Sequence, residues 1–203
     1  MALALGEKIP EITANTSKGP ISLSSYKGKW VLLFSHPADF TPVCTTEFMA
    51  FADRFEEFKK LGVELIGVSI DSVYSHIAWV RDIKEKYGVE IPFPIIADVN
   101  KEVASIFNII NPVDGLTVRG VFVIDPNQKV RWIAYYPAEV GRNIDEILRV
   151  LKAFQFNWDR KLATPANWKQ GDGGVMGAPT TVEGSYERDR EGAERWYLKK
   201  VNQ

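Results

Sequence analysis

The chain has 203 residues, 45% hydrophobic and 25% charged, with a formal net charge of −1. That length suits one well-cored domain with chain left over for an arm or small appendage. The near-zero net charge gives no reason to expect nucleic acid or an acidic polymer as partner. No apolar run reaches the roughly 18 residues of a membrane span. The start, Met1-Ala-Leu-Ala-Leu-Gly6, has neither the basic n-region nor the apolar length of a secretory signal, so a cytoplasmic location is expected. The single cysteine, Cys44, excludes an internal disulfide, and with only His36 and His76 beside it no Cys/His zinc constellation is expected.

Trp30-Val-Leu-Leu-Phe34 is a short continuous apolar run and predicts a buried strand. Thr41-Pro42 then opens a helix, in which Phe48, Phe51, Phe55, Phe58 and Leu61 recur at spacings of three and four until Gly62 stops it. Val63–Ile70 is the next strand. Asp71-Ser72 can cap a helix whose apolar pattern, Ile77, Val80, Ile83 and Tyr87, runs to Gly88. Phe93–Ile96 predicts a third strand, bounded by Asp98, and residues 100–108 a short helix. Arg119–Ile124 and Val130–Tyr136 read as strands joined by Asp125-Pro-Asn-Gln, a tight turn of the kind that joins antiparallel neighbours. Asn143 caps a last helix ending near Phe156. The resulting order, β-α-β-α-β-α-β-β-α, predicts an α/β fold with a mixed central sheet and helices on both faces.

Residues 156–203 differ from what precedes them. They carry Trp158, Trp168, prolines, four glycines between 171 and 177, and a charged tail, with too little periodic apolar content for a core of their own. They read as an arm that packs on the domain or on a partner chain, after a domain spanning residues 4–155. The glycine cluster lacks the Gly-Lys-Ser/Thr ending of a phosphate loop, so nucleotide binding is not expected.

The chemistry concentrates in His36-Pro-Ala-Asp-Phe-Thr-Pro-Val-Cys-Thr-Thr-Glu47, between a strand end and a helix start. Thr41 suits the N-cap and Pro42 the first helical position, where a missing N–H is harmless. Cys44 then falls third in the helix, where a capping box holds a carboxylate over the free N–H groups of the first turn. A sulfur there meets unpaired donors and the positive end of the helix dipole, which favour thiolate, the nucleophilic form. Pro37 and Pro42 stiffen the loop without offering N–H groups that would compete for a substrate. The Thr41 hydroxyl can both donate and accept, which suits an –O–OH group.

Pro37-x-x-x-Thr41-x-x-Cys44 matches the active-site signature of the peroxiredoxins. Phe34–Glu47, Tyr136–Leu148 and Ala163–Asp172 resemble the one-cysteine class of that family, and the resemblance covers essentially the whole chain. It implies a thioredoxin-like fold with N-terminal additions and a C-terminal dimerisation arm. A thioredoxin would place C-x-x-C at this helix start; here Thr41 stands three before Cys44, so dithiol exchange within one site is impossible. By the same resemblance Cys44 is the peroxidatic cysteine, Pro37 shields it, Thr41 holds the peroxide, and Arg119 stabilises the thiolate and the developing charge. Glu47 would orient Arg119, Arg142 would be a second active-site arginine at a helix start, and His36 would adjoin the pocket. His76 reads as structural or exposed.

The implied activity is reduction of hydrogen peroxide and organic hydroperoxides through a Cys44 sulfenic acid, with no metal or organic cofactor. In the two-cysteine class a resolving cysteine precedes the proline of Pro-x-x-Trp-Lys; here Thr164 stands there, before Pro165-Ala-Asn-Trp-Lys169. Recycling would therefore use an external reductant, a thioredoxin-like protein or a low-molecular-weight thiol. The implied assembly is a homodimer joined into a decameric ring. Two other readings remain open. One is a ring-forming holdase or redox sensor that uses Cys44 as a switch. The other is an acyl hydrolase pairing Cys44 with His36, for which no G-x-S-x-G or orienting third residue is evident.

Overall fold

The computed structural model describes residues 3–202, which form two compact units divided in sequence between Ile144 and Asp145. The first is built on a five-stranded mixed sheet. Its strands are β3 (Trp30–Ser35), β4 (Val63–Ser69), β5 (Ile95–Ala97), β6 (Arg119–Ile124) and β7 (Val130–Tyr136). A two-stranded hairpin, β1 (Thr13–Ala14) and β2 (Ile21–Ser22), precedes them. The order across the sheet is β5-β4-β3-β6-β7, with β3, β4 and β5 parallel and β6 and β7 antiparallel to their neighbours. Every residue of β3 and of β6 is buried, so both sheet faces are covered and these strands read as unbroken apolar runs rather than alternating ones.

Alternation along β3 sends its side chains to two cores. Val31 and Leu33 join Ile66, Val68, Ile96, Phe107, Phe122 and Ile124. Phe34 enters an aromatic cluster, stacked on Phe51 at 4.1 Å and edge-on to Phe93 at 5.5 Å. That second cluster is supplied by helix α1 (Pro42–Asp53), whose buried stripe is Cys44, Glu47, Phe48 and Phe51. The single helix expected to Leu61 is interrupted: α1 ends at Asp53, Arg54 takes φ −96° and ψ 7°, and α2 runs from Phe55 to Lys60. The break lets Phe58 stay buried at the foot of β4 while Phe55 is only half-buried.

Helix α3 (Val73–Tyr87) begins and ends where the caps predict, with Ser72 Oγ accepting from the Ser75 amide and Gly88 left-handed at φ 70°. Its inward face keeps Ile83 of the expected stripe and otherwise differs. His76, Trp79 and Ile83 are buried, whereas Ile77 and Tyr87 are exposed. Strand β5 starts two residues later than the Phe93–Ile96 run because Pro94 has no N–H to give; its carbonyl instead accepts from the Gly67 amide at 2.9 Å. Helix α4 (Glu102–Ile106) is shorter than the expected 100–108, with the Asp98 carboxylate accepting from the Val103 and Ala104 amides. The β6–β7 turn closes as expected: Asp125 Oδ1 accepts from the Asn127 and Lys129 amides at 2.9 Å.

The second unit contains nearly all of α5 (Ile144–Arg160), which runs about a turn beyond the expected end. It also holds a two-residue ladder, β8 (Gly174–Val175) with β9 (Lys200–Val201), and helix α6 (Val182–Arg190). Trp168 is buried here, its ring 5.2 Å from that of Phe156 and its carbonyl accepting from Arg149 Nη1 at 3.0 Å. No helix among the described residues is long and apolar enough to cross a membrane.

The sheet register sets up one end of the first unit. Phe34 pairs with Val121 and Arg119 with Tyr136, so the exit of β3, the entry of β6 and the exit of β7 lie side by side. Gly120 makes this possible. A Cβ there would stand 2.7 Å from Ile109 Cγ2 and 3.0 Å from Ser35 Oγ, which itself accepts from the Gly120 amide at 2.8 Å. Gly120→Ala should therefore overpack the junction and cost about 1–3 kcal/mol, seen as a melting point several degrees lower in thermal unfolding.

Candidate active site

Cys44 lies where the chain leaves the end of β3, crosses the loop at residues 36–41 and enters α1. Thr41 has the extended N-cap backbone, φ −105° and ψ 149°, and Pro42 stands at the first helical position, so Cys44 is the third helical residue. The Thr41 hydroxyl does not cap the helix; it turns back and donates to the Ala38 carbonyl at 2.8 Å. The cap carbonyl is used twice, by the Thr45 amide at 3.0 Å and the Thr45 hydroxyl at 2.8 Å. Cys44 and Pro37 are both buried.

Arg119, first residue of β6, reaches the sulfur. Its Nη1 lies 3.3 Å from Cys44 Sγ and 2.8 Å from Glu47 Oε2. The rest of the guanidinium is anchored by the Ala138 carbonyl, which accepts from Nε at 3.1 Å and from Nη2 at 2.6 Å. Glu47 sits three residues after Cys44, close to one turn on, and binds a second arginine as well. Its Oε1 accepts from the backbone amide and Nε of Arg142 at 2.8 and 2.9 Å, and its Oε2 from Arg142 Nη2 at 2.7 Å. Arg142 Nη1 donates to the carbonyls of Ser35 and Gly120, both at 2.9 Å, and its guanidinium lies over the rings of Phe34 and Phe51.

All of these charged groups are buried. Burial alone would push the Glu47 carboxyl up; Arg142 first and Arg119 second reverse this and hold it below its ordinary value. Two guanidinium groups and one carboxylate leave the site one positive charge in excess, facing the sulfur.

Sequence reasoning placed Cys44, Thr41, Arg119, Glu47 and Arg142 near one another, and the structure brings them together. It alters one expectation and decides between two others. Arg142 is not in the first turn of the helix, since α5 begins at Ile144, and Glu47 compensates its charge directly. Of the two readings of His76, structural or exposed, the structure gives the first: the ring is fully buried, with Nδ1 2.8 Å from Asp39 Oδ2. The other Asp39 oxygen lies 2.8 Å from His36 Nε2. Asp39 stood inside the motif without a role, and no local spacing connects it to His76, 37 residues on. His36, Asp39 and His76 have ligand-type atoms within 4.8 Å of one another, and at 2.8 Å those atoms are already engaged with each other.

Two family models match the chain: the AhpC/TSA family over residues 5–133, and the C-terminal domain of 1-Cys peroxiredoxin over residues 153–190. A peroxiredoxin from Thermoplasma volcanium is 69% identical over 99% of this chain and 100% of its own length. The chain belongs to the peroxiredoxins. Peroxiredoxin 2 of Thermoplasma acidophilum is also 69% identical, over 97% of the chain. Among solved structures, the yeast mitochondrial 1-Cys peroxiredoxin superposes with a TM-score of 0.86 at 40% identity, covering 99% of this chain and 100% of that one. A mutant of peroxiredoxin 6 from Arenicola marina gives 0.83 at 39% identity, covering 90% of this chain and 87% of that one. The peroxiredoxin fold is thioredoxin-like, as expected, and the family's activity is that of a thiol peroxidase.

Loss of the Glu47 carboxylate should destabilise this peroxiredoxin. Glu47→Gln removes the carboxylate that two buried guanidinium groups share and should cost about 3–5 kcal/mol at neutral pH. Because the folded-state value of Glu47 is lowered, its contribution is present above the unfolded glutamate value and is lost as pH falls through the folded one. Denaturant unfolding at about pH 7 and about pH 4 should show the gap between wild type and Glu47→Gln narrowing toward acid.

Proposed function

We propose that this chain reduces hydrogen peroxide and organic hydroperoxides with Cys44 as the peroxidatic residue and an external thiol as reductant. The observation that carries the reading is the 3.3 Å contact between Arg119 Nη1 and the sulfur of the one cysteine, third residue of α1. A thiolate completes the charge balance of Arg119, Arg142 and Glu47. It attacks the distal oxygen of the peroxide along the O–O axis; the O–O bond breaks, the S–O bond forms, and the alkoxide or hydroxide that leaves takes a proton from water. Cys44 is left as sulfenic acid.

Arg119 carries a fixed positive charge to the place where negative charge moves from sulfur to the leaving oxygen. Thr41 offers the hydroxyl that holds the peroxide, and Pro37 walls the loop without an N–H of its own. A reductant thiol then displaces water from the sulfenic acid as a mixed disulfide, and a second thiol releases Cys44. The yeast relative is described as resolved through glutathione and thioredoxin systems, and Thr164 at the resolving position supports an external thiol here.

We also assign residues 4–155 to the peroxidase domain and residues 156–203 to an arm that builds a homodimer, with dimers joined into a decameric ring. Large apolar side chains left exposed on the chain support association: Phe40 and Tyr74 before Ile144, and Tyr186, Trp196 and Tyr197 after it. A lone thiol that must cycle through its reduced form suits the reducing cytoplasm.

Cys44→Ser should abolish peroxide turnover with dithiothreitol or a thioredoxin system while leaving the far-ultraviolet circular dichroism unchanged. Residual turnover above about a tenth of wild type, ~1.4 kcal/mol in barrier height, rejects Cys44 as the nucleophile. In wild type, excess peroxide without reductant should add two oxygens to single chains, because the sulfenic acid has no thiol partner in its own chain. Intact-mass spectrometry reads this directly, and a good yield of disulfide-linked dimer on a non-reducing gel contradicts it.

A further inference from the structure

Two buried histidines share one carboxylate at the loop that carries Pro37 and Thr41. His36 Nε2 lies 2.8 Å from Asp39 Oδ1, His76 Nδ1 lies 2.8 Å from Asp39 Oδ2, and His76 Nε2 lies 3.1 Å from the Ile96 carbonyl. All three side chains are at most 1% exposed. A carbonyl only accepts, so His76 Nε2 carries a proton. Each contact with Asp39 needs a proton as well. The cluster thus holds three protons: one on His36 Nε2 and two shared by His76 and Asp39. With that count it is electrically neutral, an imidazolium–carboxylate pair beside a neutral imidazole. A site shut off from water favours such neutrality. Among the described residues His36 Nδ1 has no hydrogen-bond partner, and since the three-proton count places this ring's one proton on Nε2, Nδ1 is left as a bare lone pair.

The surroundings agree with this count. Burial alone would push the Asp39 carboxyl up, and the two histidines hold it well below the usual carboxylate range. Burial pushes His36 down against the pull of Asp39, with His76 adding to the lowering and Asp71 opposing it. The Asp71 carboxylate is itself occupied by the Ser69 hydroxyl and the Asp39 amide. The His36 ring stacks on Trp79 at 5.1 Å and meets Phe48 edge-on at 4.7 Å, and Phe48 is one helical turn past Cys44.

We propose that Asp39 and His76 are positioning residues that lock His36 as its Nε2–H tautomer, with a bare Nδ1, beside the helical turn that carries Cys44. The proposal rests on the peroxidase reading of Cys44 only for its effect on rate. The proton count stands on the cluster's own geometry.

The chain has two histidines, so nitrogen-15 spectra of the histidine-labelled, reduced, full-length protein contain two rings. Wild type should show one ring with both nitrogens protonated, His76, and one protonated at Nε2 alone, His36. In Asp39→Asn the amide can donate to His76 Nδ1 and accept from His36 Nε2. His76 should then lose one proton, His36 should be unchanged, and the rate of Cys44 oxidation by peroxide should stay within about threefold of wild type. Asp39→Ala removes the clamp and should slow that rate at least tenfold, or about 1.4 kcal/mol. Where Asp39→Ala does not fold, His76→Leu removes one arm of the clamp at similar volume and serves instead. A bare nitrogen on both rings in wild type overturns the proton count, and so does a proton on His36 Nδ1. Wild-type rate in folded Asp39→Ala or His76→Leu overturns the positioning role. Wild type that fails to react with peroxide at Cys44 rejects the peroxidase reading instead, and the spectra then judge the cluster alone.

Discussion

The Glu47 carboxylate holds together parts of the chain that are otherwise remote. It takes Arg119 from the start of β6 and Arg142 from beyond the end of β7, and it sits on the same buried helical stripe as Cys44. Arg142 in turn donates to the carbonyls of Ser35, at the end of β3, and Gly120, in β6. One acid thereby fixes the helix start, two sheet strands and the segment around Ala138 relative to one another. Without it Arg119 would lose its carboxylate partner and be held by the Ala138 carbonyl and the sulfur alone.

Such a cluster does not stabilise the fold by its charges alone. Removing ions from water costs several kcal/mol each, and replacing a buried ion pair with apolar groups is often neutral or better. On the proposed peroxidase reading the cluster acts by preorganisation: positive charge is already in place where negative charge would move from sulfur to the leaving oxygen. The aromatic cluster supports this arrangement. Phe34 and Phe51 place their ring faces against the Arg142 guanidinium, offsetting part of its lost hydration while excluding water from the site.

Much of this was legible in the sequence, for local reasons. Thr41-Pro42 at a strand-to-helix junction carries its own cap chemistry, and Asp125-Pro-Asn-Gln carries its own turn. The missed features are those decided at a distance. The break at Arg54 leaves the apolar spacing of Phe51, Phe55 and Phe58 almost undisturbed, so periodicity cannot reveal it. The inward face of α3 is set by His76 and Trp79, a polar and an amphipathic residue that apolar counting passes over. His76 is buried because Asp39 and the Ile96 carbonyl wait for it, partners 37 and 20 residues away. Arg142 stands just before a helix start, where the dipole disfavours a cation, and the carboxylate that pairs with it is 95 residues earlier, beyond the reach of local pattern.

The loop at residues 36–41 shows why a site with so few reacting atoms needs so many polar bonds around it. At its first residue, the His36 amide donates to the Val68 carbonyl on β4, and the His36 carbonyl accepts from the Thr117 hydroxyl just before β6. Ser35 Oγ binds the Val118 carbonyl and the Gly120 amide. Further along, the Asp39 amide is held by Asp71 and its carboxylate by two imidazoles. Phe40, left-handed at φ 57° and exposed, departs from this pattern. Left-handed backbone is strained for a bulky side chain and persists only where its neighbours overdetermine it. Phe40 lies between a clamped Asp39 and a helix that starts at Pro42, and the strain there follows from anchoring both ends of a short loop. That anchoring holds Thr41 and the start of the helix that carries Cys44 in one arrangement, the geometry the proposed peroxidase reading requires.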